Sequence, residues 1–150
     1  MKRIVVNECK IHFPALSRNE GLSRSSAAAF AMQCDPTVEE IAAIKTAVSE
    51  AVTNAIVHGY RDINGIVEMT MKLYSDNVIY IQIKDKGAGI ADIKQAMQPT
   101  YTTAPAEEER SGLGFTVMES FMDKVRVKSA ENKGTVVVME KKLAGKKNDA

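Results

Sequence analysis

Three polar residues, Glu50, Asn54 and His58, recur at intervals of four within the segment SEAVTNAIVHGY, residues 49–60. The residues between them are mostly alanine, valine and isoleucine, and the spacing predicts a helix on which the three polar side chains share one face. At the helical rise per residue this polar stripe is about 12 Å long. Because polar groups without partners are costly in a hydrophobic core, the stripe must face solvent or line a cavity, and its apolar setting favours a cavity.

The stripe combines groups that suit phosphate chemistry. Asn54 offers a neutral amide oxygen of the kind that Mg²⁺ accepts alongside phosphate oxygens. Glu50, one turn earlier, is placed to take the proton from an attacking hydroxyl group. His58 is open to two interpretations: it orients Glu50 or the bound substrate, or it is a structural histidine with a hydrogen bond of its own.

A second segment, DKGAG at residues 85–89, follows a predicted strand of alternating isoleucines. Asp85 stands at the end of that strand, where its carboxylate can accept a hydrogen bond from an exocyclic amine of a flat ligand. Gly87 and Gly89 permit positive φ angles and a close approach of the backbone to such a ligand. A glycine-rich turn after a strand is common, so this segment alone is a weak signal.

A third segment, RSGLGF at residues 110–115, places Gly112, Leu113 and Gly114 at the start of a predicted helix. Free N–H groups and the helix dipole at such a position favour an anion such as phosphate. Together, the three segments supply a carboxylate and an amide on one helix, an adenine-type pocket and a phosphate-binding loop. The sequence therefore predicts a site for a magnesium-bound purine nucleotide.

The hydrophobic pattern predicts an α+β fold. Thr37 and Glu40 have the spacing of a capping box, which opens a helix that runs to about His58. The predicted elements, in order, are a strand at 4–13, an alanine-rich helix within 14–34, the capped helix, a hairpin at 65–85 turned at 75–77, a short helix at 92–97, a loop at 98–112, a helix at 113–124 and a hairpin at 124–143 turned at 132–134. Helices grouped beside hairpins predict a two-layer sandwich, with the helices on one face of a mostly antiparallel sheet.

The composition limits the class of protein. With 45% hydrophobic and 26% charged residues, the 150-residue chain is predicted to form a single globular domain with a flexible tail at about residues 144–150. The net charge of +1 gives no general attraction for nucleic acid or an anionic membrane. No apolar run approaches the length of a membrane span, and Cys9 and Cys34 are interpreted as free thiols, so we expect a cytoplasmic protein.

The order of these motifs resembles the GHKL ATPase superfamily, which includes gyrase, MutL and histidine kinases. EAVTN matches its N box, DKGAG and RSGLGF match its two glycine boxes, and NKGT at residues 132–135 matches its last motif. The resemblance covers nearly the whole chain and implies the GHKL ATP-binding fold, with Glu50 as catalytic base, Asn54 as the Mg²⁺ ligand and Asp85 as the adenine contact. It further implies that the remaining nucleotide contacts include Gly87, Gly89, Gly112, Gly114 and Thr135.

Within the superfamily, the segments SEAVTNAIVHGY, QPTYTT and RSGLGFTVMESFMD are similar to the small anti-sigma factor serine kinases. Thr102 and Thr103 match the lid that closes over ATP in that family. The family often has a basic residue after the paired threonines, whereas this chain has Ala104 followed by an acidic run. A phosphate contact from the lid is therefore in question here, and Arg110 is the candidate substitute.

The resemblance is strongest to the kinases that act on the sporulation sigma factor F. It implies a homodimer that holds one sigma factor F subunit across its two-fold axis. It also implies that an anti-anti-sigma factor competes for an overlapping face and is phosphorylated on serine. Arg18 and Arg24 in the first helix are the candidate partner contacts, although two arginines on a helix are also typical of a solvated surface.

Three functional classes fit these observations. The first is a protein serine kinase that also sequesters a sigma factor, for which a stress-response sigma B system is the alternative to sigma factor F. The second is an ATP-dependent binding switch without kinase activity, which the presence of Glu50 disfavours. The third is the ATPase half of a histidine kinase, which would need an acceptor histidine from another chain.

Overall fold

A computed structural model of the chain describes residues 3–60, 65–89, 114–130 and 132–145. The short helix predicted at 92–97 and the loop predicted at 98–112 lie outside these residues. The elements are β1 Val5–Pro14, α1 Asn19–Ala31, a 3₁₀ turn Met32–Cys34, α2 Val38–Asn54, a π-helical segment Ala55–Gly59, β2 Ile66–Tyr74, β3 Val78–Asp85, α3 Gly114–Phe121, β4 Lys124–Ala130 and β5 Gly134–Lys142.

The five strands form one antiparallel sheet in the order β1-β2-β3-β5-β4. Alternation along the strands sends one set of side chains toward the helices, because successive residues of a strand point to opposite faces. Both predicted hairpins, β2–β3 and β4–β5, are confirmed, and their turns contain Asn77 and Asn132 at positive φ. The described elements are therefore those of the predicted α+β fold with an antiparallel sheet.

A continuous hydrophobic core lies between the sheet and the helices. From β2 and β3 it includes the alternate residues that a half-buried strand presents to one face, all of them buried: Val67, Met69, Met71, Leu73, Ile79, Ile81 and Ile83. Ile44, Val48 and Val52 of α2 are fully buried against them, as is Met118 of α3. The three helices thus bury their apolar faces on one side of the sheet.

The capping box predicted for α2 is present. Thr37 Oγ1 accepts a hydrogen bond from the backbone N–H of Glu40 at 3.1 Å, and Glu40 Oε1 accepts one from the N–H of Thr37 at 2.8 Å. The second oxygen of the same carboxylate, Oε2, accepts a hydrogen bond from the N–H of Ala144 at 2.8 Å. Glu40 therefore joins the start of α2 to the segment that follows β5.

The end of α2 differs from the prediction. The helical path continues through Gly59, as expected, but α-helical geometry ends at Asn54 and the last five residues form a π-helix. Glu50 lies in the α-helical part and Asn54 at its end, whereas His58 lies in the π-helical segment. The side chain of His58 lies outside the described part of the structure.

The two cysteines are free thiols, as predicted. Cys34 is buried at the end of the 3₁₀ turn, and this burial raises the pKa of its thiol. Among the helices that the structure describes, none is both long and apolar enough to cross a lipid bilayer.

The double role of Glu40 leads to a first prediction. Glu40→Ala removes half of the capping box and the contact to Ala144, and we expect it to lower the free energy of unfolding by about 1–2 kcal/mol. Urea denaturation monitored by circular dichroism measures this loss. Glu39→Ala is the matched control, because Glu39 is an exposed carboxylate in the same first helical turn. Equal losses in the two variants would show that the helix dipole, and not the hydrogen bonds of Glu40, accounts for the effect.

Candidate functional site

Glu50 and Asn54 extend from α2 toward the first residue of α3. A methyl group placed on Gly114 would lie 3.1 Å from Asn54 Nδ2 and 3.5 Å from Glu50 Oε2. Gly114 is buried, and both polar residues are half-buried. The structure therefore brings together three of the predicted site residues, and a side chain at position 114 would crowd Asn54, so the glycine allows the two helices to approach closely.

Asp85 ends β3 inside the sheet and is only 5% exposed. Its Oδ1 accepts a hydrogen bond from the N–H of Gly87 at 3.0 Å, and the backbone N–H of Thr135 on the paired strand β5 donates a second hydrogen bond to the carboxylate. Burial raises the pKa of Asp85, and these two hydrogen bonds oppose the shift without cancelling it. Within the described residues, no cation forms an ion pair with Asp85, so its charge is held only by backbone dipoles.

Glycines surround this carboxylate because there is no room for larger residues. A methyl group on Gly59 would lie 2.8 Å from Asp85 Oδ1, and one on Gly87 would overlap the carbonyl oxygen of Gly59. Gly89 has a φ of +76°, and a methyl group there would overlap the carbonyl oxygen of Ala130. An added methyl group at Gly87 or Gly89 would therefore meet protein backbone, and the expected approach of these two glycines to a ligand stays a prediction.

Thr135 supports the site mainly through its backbone. Its hydroxyl lies 2.7 Å from Ser129 Oγ, and Ser129 Oγ also donates to the carbonyl oxygen of Gly134 at 2.9 Å. The N–H of Thr135 is the group that contacts Asp85. The described contacts therefore connect Thr135 to the site through Asp85.

Tyr60 and Gly59 are site neighbours that the sequence analysis did not identify. The hydroxyl of Tyr60 accepts a hydrogen bond from the N–H of Lys86 at 2.6 Å and donates one to the carbonyl oxygen of Ile66 at 2.7 Å. The carbonyl oxygen of Gly59 accepts a hydrogen bond from the N–H of Ala88 at 2.7 Å. Lys86 is 26 residues from Tyr60 along the chain, and no spacing in the sequence indicates this contact.

Several predicted site residues lie outside the described part of the chain. They are Thr102, Thr103, Arg110, Gly112, Leu113 and the side chain of His58. In the residues that are described, no group of three or more histidine, cysteine or acidic side chains is arranged to hold a metal ion. The oxygen-bearing pair of Glu50 and Asn54 is nevertheless compatible with Mg²⁺, because this ion needs only one or two protein ligands when water and phosphate oxygens complete its shell.

A separate cavity of about 290 Å³ lies between α1 and α2, on another side of α2. Arg24 lines this cavity, and its guanidinium group is 3.7 Å from the carboxylate of Glu20. The other lining residues are Ser17, Ser49, Thr53, Ile56 and Val57. Arg18 stands at the N-cap position of α1 without a capping hydrogen bond from its side chain, is exposed and is not part of the lining. Of the two arginines that were candidate partner contacts, Arg24 therefore lines the cavity and Arg18 does not.

Comparison with solved structures supports the same fold. The structure aligns with a Mycobacterium tuberculosis protein that contains RsbU and RsbW domains, with a TM-score of 0.66 and 18% identity over 92% of this chain and 32% of the other. It also aligns with the histidine kinase domain of a blue-light activated histidine kinase from Erythrobacter litoralis, with a TM-score of 0.57 and 19% identity over 88% of this chain and 62% of the other. At these identities the likeness is one of fold alone.

Sequence comparison is more specific. The profile of the family described as Histidine kinase-like ATPase domain matches residues 13–141. An anti-sigma F factor from Geobacillus sp. strain WCH70 is 54% identical over 94% of this chain and 96% of the relative, and one from Clostridium novyi is 52% identical over 91% and 95%. The resemblance inferred from the sequence motifs is thus confirmed. The chain belongs to the histidine kinase-like ATPase family and, within it, to the anti-sigma F factors.

Proposed function

We propose that this chain is an anti-sigma factor and a protein serine kinase. It binds and inhibits sigma factor F, and it uses Mg-ATP to phosphorylate the anti-anti-sigma factor that antagonises it. The observation that carries the proposal is the convergence of Glu50 and Asn54 on the first residue of α3. A buried carboxylate, Asp85, at the end of β3 provides a second recognition point for the same nucleotide.

Asp85 is proposed to bind the adenine ring. An ionised carboxylate has about four acceptor positions, and the two backbone hydrogen bonds from Gly87 and Thr135 leave some of them for a ligand. The exocyclic amine of adenine is a donor, which makes it a suitable partner for an acceptor held in this way. Among the described residues, no cation neutralises the carboxylate.

The phosphate groups are proposed to lie at the start of α3, beside Glu50 and Asn54. The N–H groups at that helix terminus attract anions, and Gly114 places this terminus beside Asn54 and Glu50. Asn54 would hold Mg²⁺ through its amide oxygen, and the ion would offset the charge that builds up on the transferring phosphoryl group. Thr102, Thr103, Arg110, Gly112 and Leu113 remain predicted contacts of the nucleotide.

Glu50 is proposed to act as the general base. Its carboxylate is close to the proposed phosphate position, so it can accept the proton of a serine hydroxyl as that oxygen attacks the γ-phosphorus. The products are a phosphoserine on the partner and ADP. Most of the rate enhancement would come from positioning and from electrostatic stabilisation, as in other phosphoryl transfers.

Sigma factor F is preferred over the alternatives for specific reasons. The similar relatives are named anti-sigma F factors at more than half identity, which supports sigma factor F over sigma B. The presence of Glu50 beside Asn54 favours a kinase over a switch that binds ATP without using it. A cytoplasmic location, a single domain and a homodimer that holds one sigma subunit are parts of the same proposal.

The cavity beside Arg24 is the proposed docking point for the protein partners. A volume of about 290 Å³ is sufficient for one or two side chains, and the half-exposed guanidinium group at its edge can receive an acidic one. Ser49 and Thr53, which line the cavity, directly precede Glu50 and Asn54 on α2. A partner bound here would therefore contact the same helix that carries the proposed catalytic side chain.

The role of Glu50 gives a prediction. Glu50→Gln keeps the size of the side chain and removes its basicity, so we expect nucleotide affinity within about threefold of the original and phosphoryl transfer reduced by about 10²-fold or more. Single-turnover transfer from radiolabelled ATP to the anti-anti-sigma factor measures the rate, and calorimetry measures the affinity. Glu119→Gln, an exposed glutamate on α3, is the control. Transfer at the original rate in Glu50→Gln would rule out the general base.

The buried charge of Asp85 gives a prediction that separates stability from binding. Because burial raises the pKa of Asp85 above its value in the unfolded chain, its ionisation destabilises the fold once the pH rises through the folded pKa. We therefore expect Asp85→Asn to be more stable than the original protein at pH 7 without nucleotide, with the difference disappearing as the pH falls below the unfolded pKa.

The same variant should bind ATP at least about tenfold more weakly, because a charged acceptor has been replaced by a neutral one. Thermal unfolding at a series of pH values tests the expected gain in stability, and calorimetry tests the expected loss of ATP affinity. Asp35→Asn is the control, since Asp35 is exposed and has a positive φ that asparagine tolerates. A variant that loses stability at pH 7 would contradict the assignment of Asp85 as a destabilising buried charge.

The cavity gives a prediction for partner binding. Arg24→Ala removes the proposed cationic contact, and we expect affinity for sigma factor F to fall by about tenfold or more while ATP affinity is unchanged. Arg18→Ala, an exposed arginine outside the cavity, should have a smaller effect. Surface plasmon resonance with immobilised sigma factor in the presence of ATP provides the comparison. A larger loss of sigma factor affinity in Arg18→Ala than in Arg24→Ala would show that the sigma factor does not dock at the cavity.

A further inference from the structure

Tyr60 is a buried residue whose hydroxyl group connects two distant parts of the backbone. It is 8% exposed, and its hydroxyl accepts from the N–H of Lys86 at 2.6 Å and donates to the carbonyl oxygen of Ile66 at 2.7 Å. Lys86 directly follows Asp85 in the chain. The tyrosine hydroxyl therefore holds the peptide unit through which Asp85 is attached to the loop beyond β3.

A second connection lies one residue away. The carbonyl oxygen of Gly59 accepts from the N–H of Ala88 at 2.7 Å, and the carbonyl oxygen of Ala88 accepts from the N–H of Asn132 at 2.5 Å. Residues 86–88 are thus attached to the end of the π-helical segment at two points and to the β4–β5 turn at a third. All three are hydrogen bonds within the protein, so the loop is fixed before any ligand binds.

The ring of Tyr60 is held separately from its hydroxyl. A methyl group on Gly65 would overlap the ring, which shows that the ring packs directly against the backbone at position 65. Removing only the hydroxyl would preserve this packing. It would also leave the N–H of Lys86 and the carbonyl of Ile66 without their partner.

We propose that Tyr60 is a positioning residue that determines how strictly the site selects adenine. The inference rests on the proposed function, in which Asp85 accepts a hydrogen bond from the amine of the base. An ionised carboxylate can only accept hydrogen bonds, so it cannot bond directly to the oxygen of a base that has an oxygen in place of the amine. A site that hydrogen-bonds its substrate rejects an analogue that lacks the bonding group, because a buried polar group of the site is left unpaired. We expect this rejection to weaken when that polar group is free to move. Tyr60 keeps Asp85 from moving by fixing the backbone next to it.

A purely structural role for Tyr60 makes a different prediction. A tyrosine that only satisfies two backbone groups would, when truncated, lower the free energy of unfolding and weaken all nucleotides alike. If Tyr60 is a positioning residue, its truncation also changes the ratio of the affinities for a 6-amino and a 6-oxo purine nucleotide. The ratio is therefore the decisive measurement.

The experiment compares the dissociation constants of ATP and inosine triphosphate, which has an oxygen in place of the amine, for three proteins. We expect Tyr60→Phe to bind ATP more weakly and to lose at least about fivefold of the preference for ATP over inosine triphosphate. Tyr80→Phe is the matched control, because the hydroxyl of Tyr80 is on the other face of the sheet and donates to a side chain, Gln82 Oε1, at 3.0 Å. It should keep the original preference.

The outcomes separate this inference from the proposed function. If the original protein binds neither nucleotide, the proposed function fails and this inference fails with it. If the original protein prefers ATP and Tyr60→Phe shows the same preference, only the role of Tyr60 is overturned.

Hydrogen exchange provides the test if Tyr60→Phe does not fold. In the original protein without nucleotide, the amide of Lys86 should exchange as slowly as the amides inside β3, because Tyr60 is already its partner. Addition of ATP should not change its protection much. Fast exchange of this amide in the nucleotide-free protein would overturn the inference.

Discussion

The charge of Asp85, which has no cationic partner in the part of the chain that the structure describes, is the constraint on which the site depends. A carboxylate that is 5% exposed must be stabilised by dipoles, and the fold supplies them from the N–H groups of Gly87 and Thr135. This arrangement requires the pairing of β3 with β5, because Thr135 is opposite Asp85 only in that register. It also requires a glycine at position 59, where any side chain would collide with the carboxylate. The sheet, the end of the second helix and the loop after β3 are therefore all constrained by one group.

Different faces of the second helix, α2, contact the hydrophobic core, the start of α3 and the cavity beside Arg24. Its apolar side chains, including Val48 and Val52, are fully buried in the core, so the helix cannot move independently of the sheet. Glu50 and Asn54 extend toward α3, while Ser49 and Thr53 line the cavity with Arg24. The π-helical segment that follows contributes Ile56 and Val57 to that cavity and the carbonyl of Gly59 to the Asp85 loop. Nucleotide recognition and partner recognition, as proposed, would thus share one rigid element.

Local patterns in the sequence predicted most of the helices and strands. They did not predict the contacts between segments that are distant along the chain. The capping box of Thr37 and Glu40 spans four residues, and the alternation in β2 and β3 depends on burial of one face, so both are readable from the chain. The pairing of Glu50 with Asn54 followed from helical spacing, but their approach to Gly114 depended on how two helices pack. The π-helical turn after Asn54, the crowding of Gly87 by Gly59 and the contact of Tyr60 with Lys86 have no local signature. They arise when the end of a helix is pressed against a loop that is distant in sequence.

A comparison between two buried carboxylates strengthens the assignment of Asp85. Glu140 is 6% exposed on the opposite face of the sheet, where Arg3 contacts one of its oxygens at 2.7 Å and Arg126 the other at 2.8 Å. Burial alone would raise the pKa of Glu140, but the hydrogen bonds and charges of the two arginines outweigh it and lower the pKa. Glu140 therefore stabilises the fold at neutral pH and loses that contribution as the pH falls, whereas Asp85 destabilises the fold when it ionises. The same sheet can supply arginine partners to a buried carboxylate, and at Asp85 none of the described residues does so. This contrast supports the proposal that a ligand completes the hydrogen bonds of Asp85.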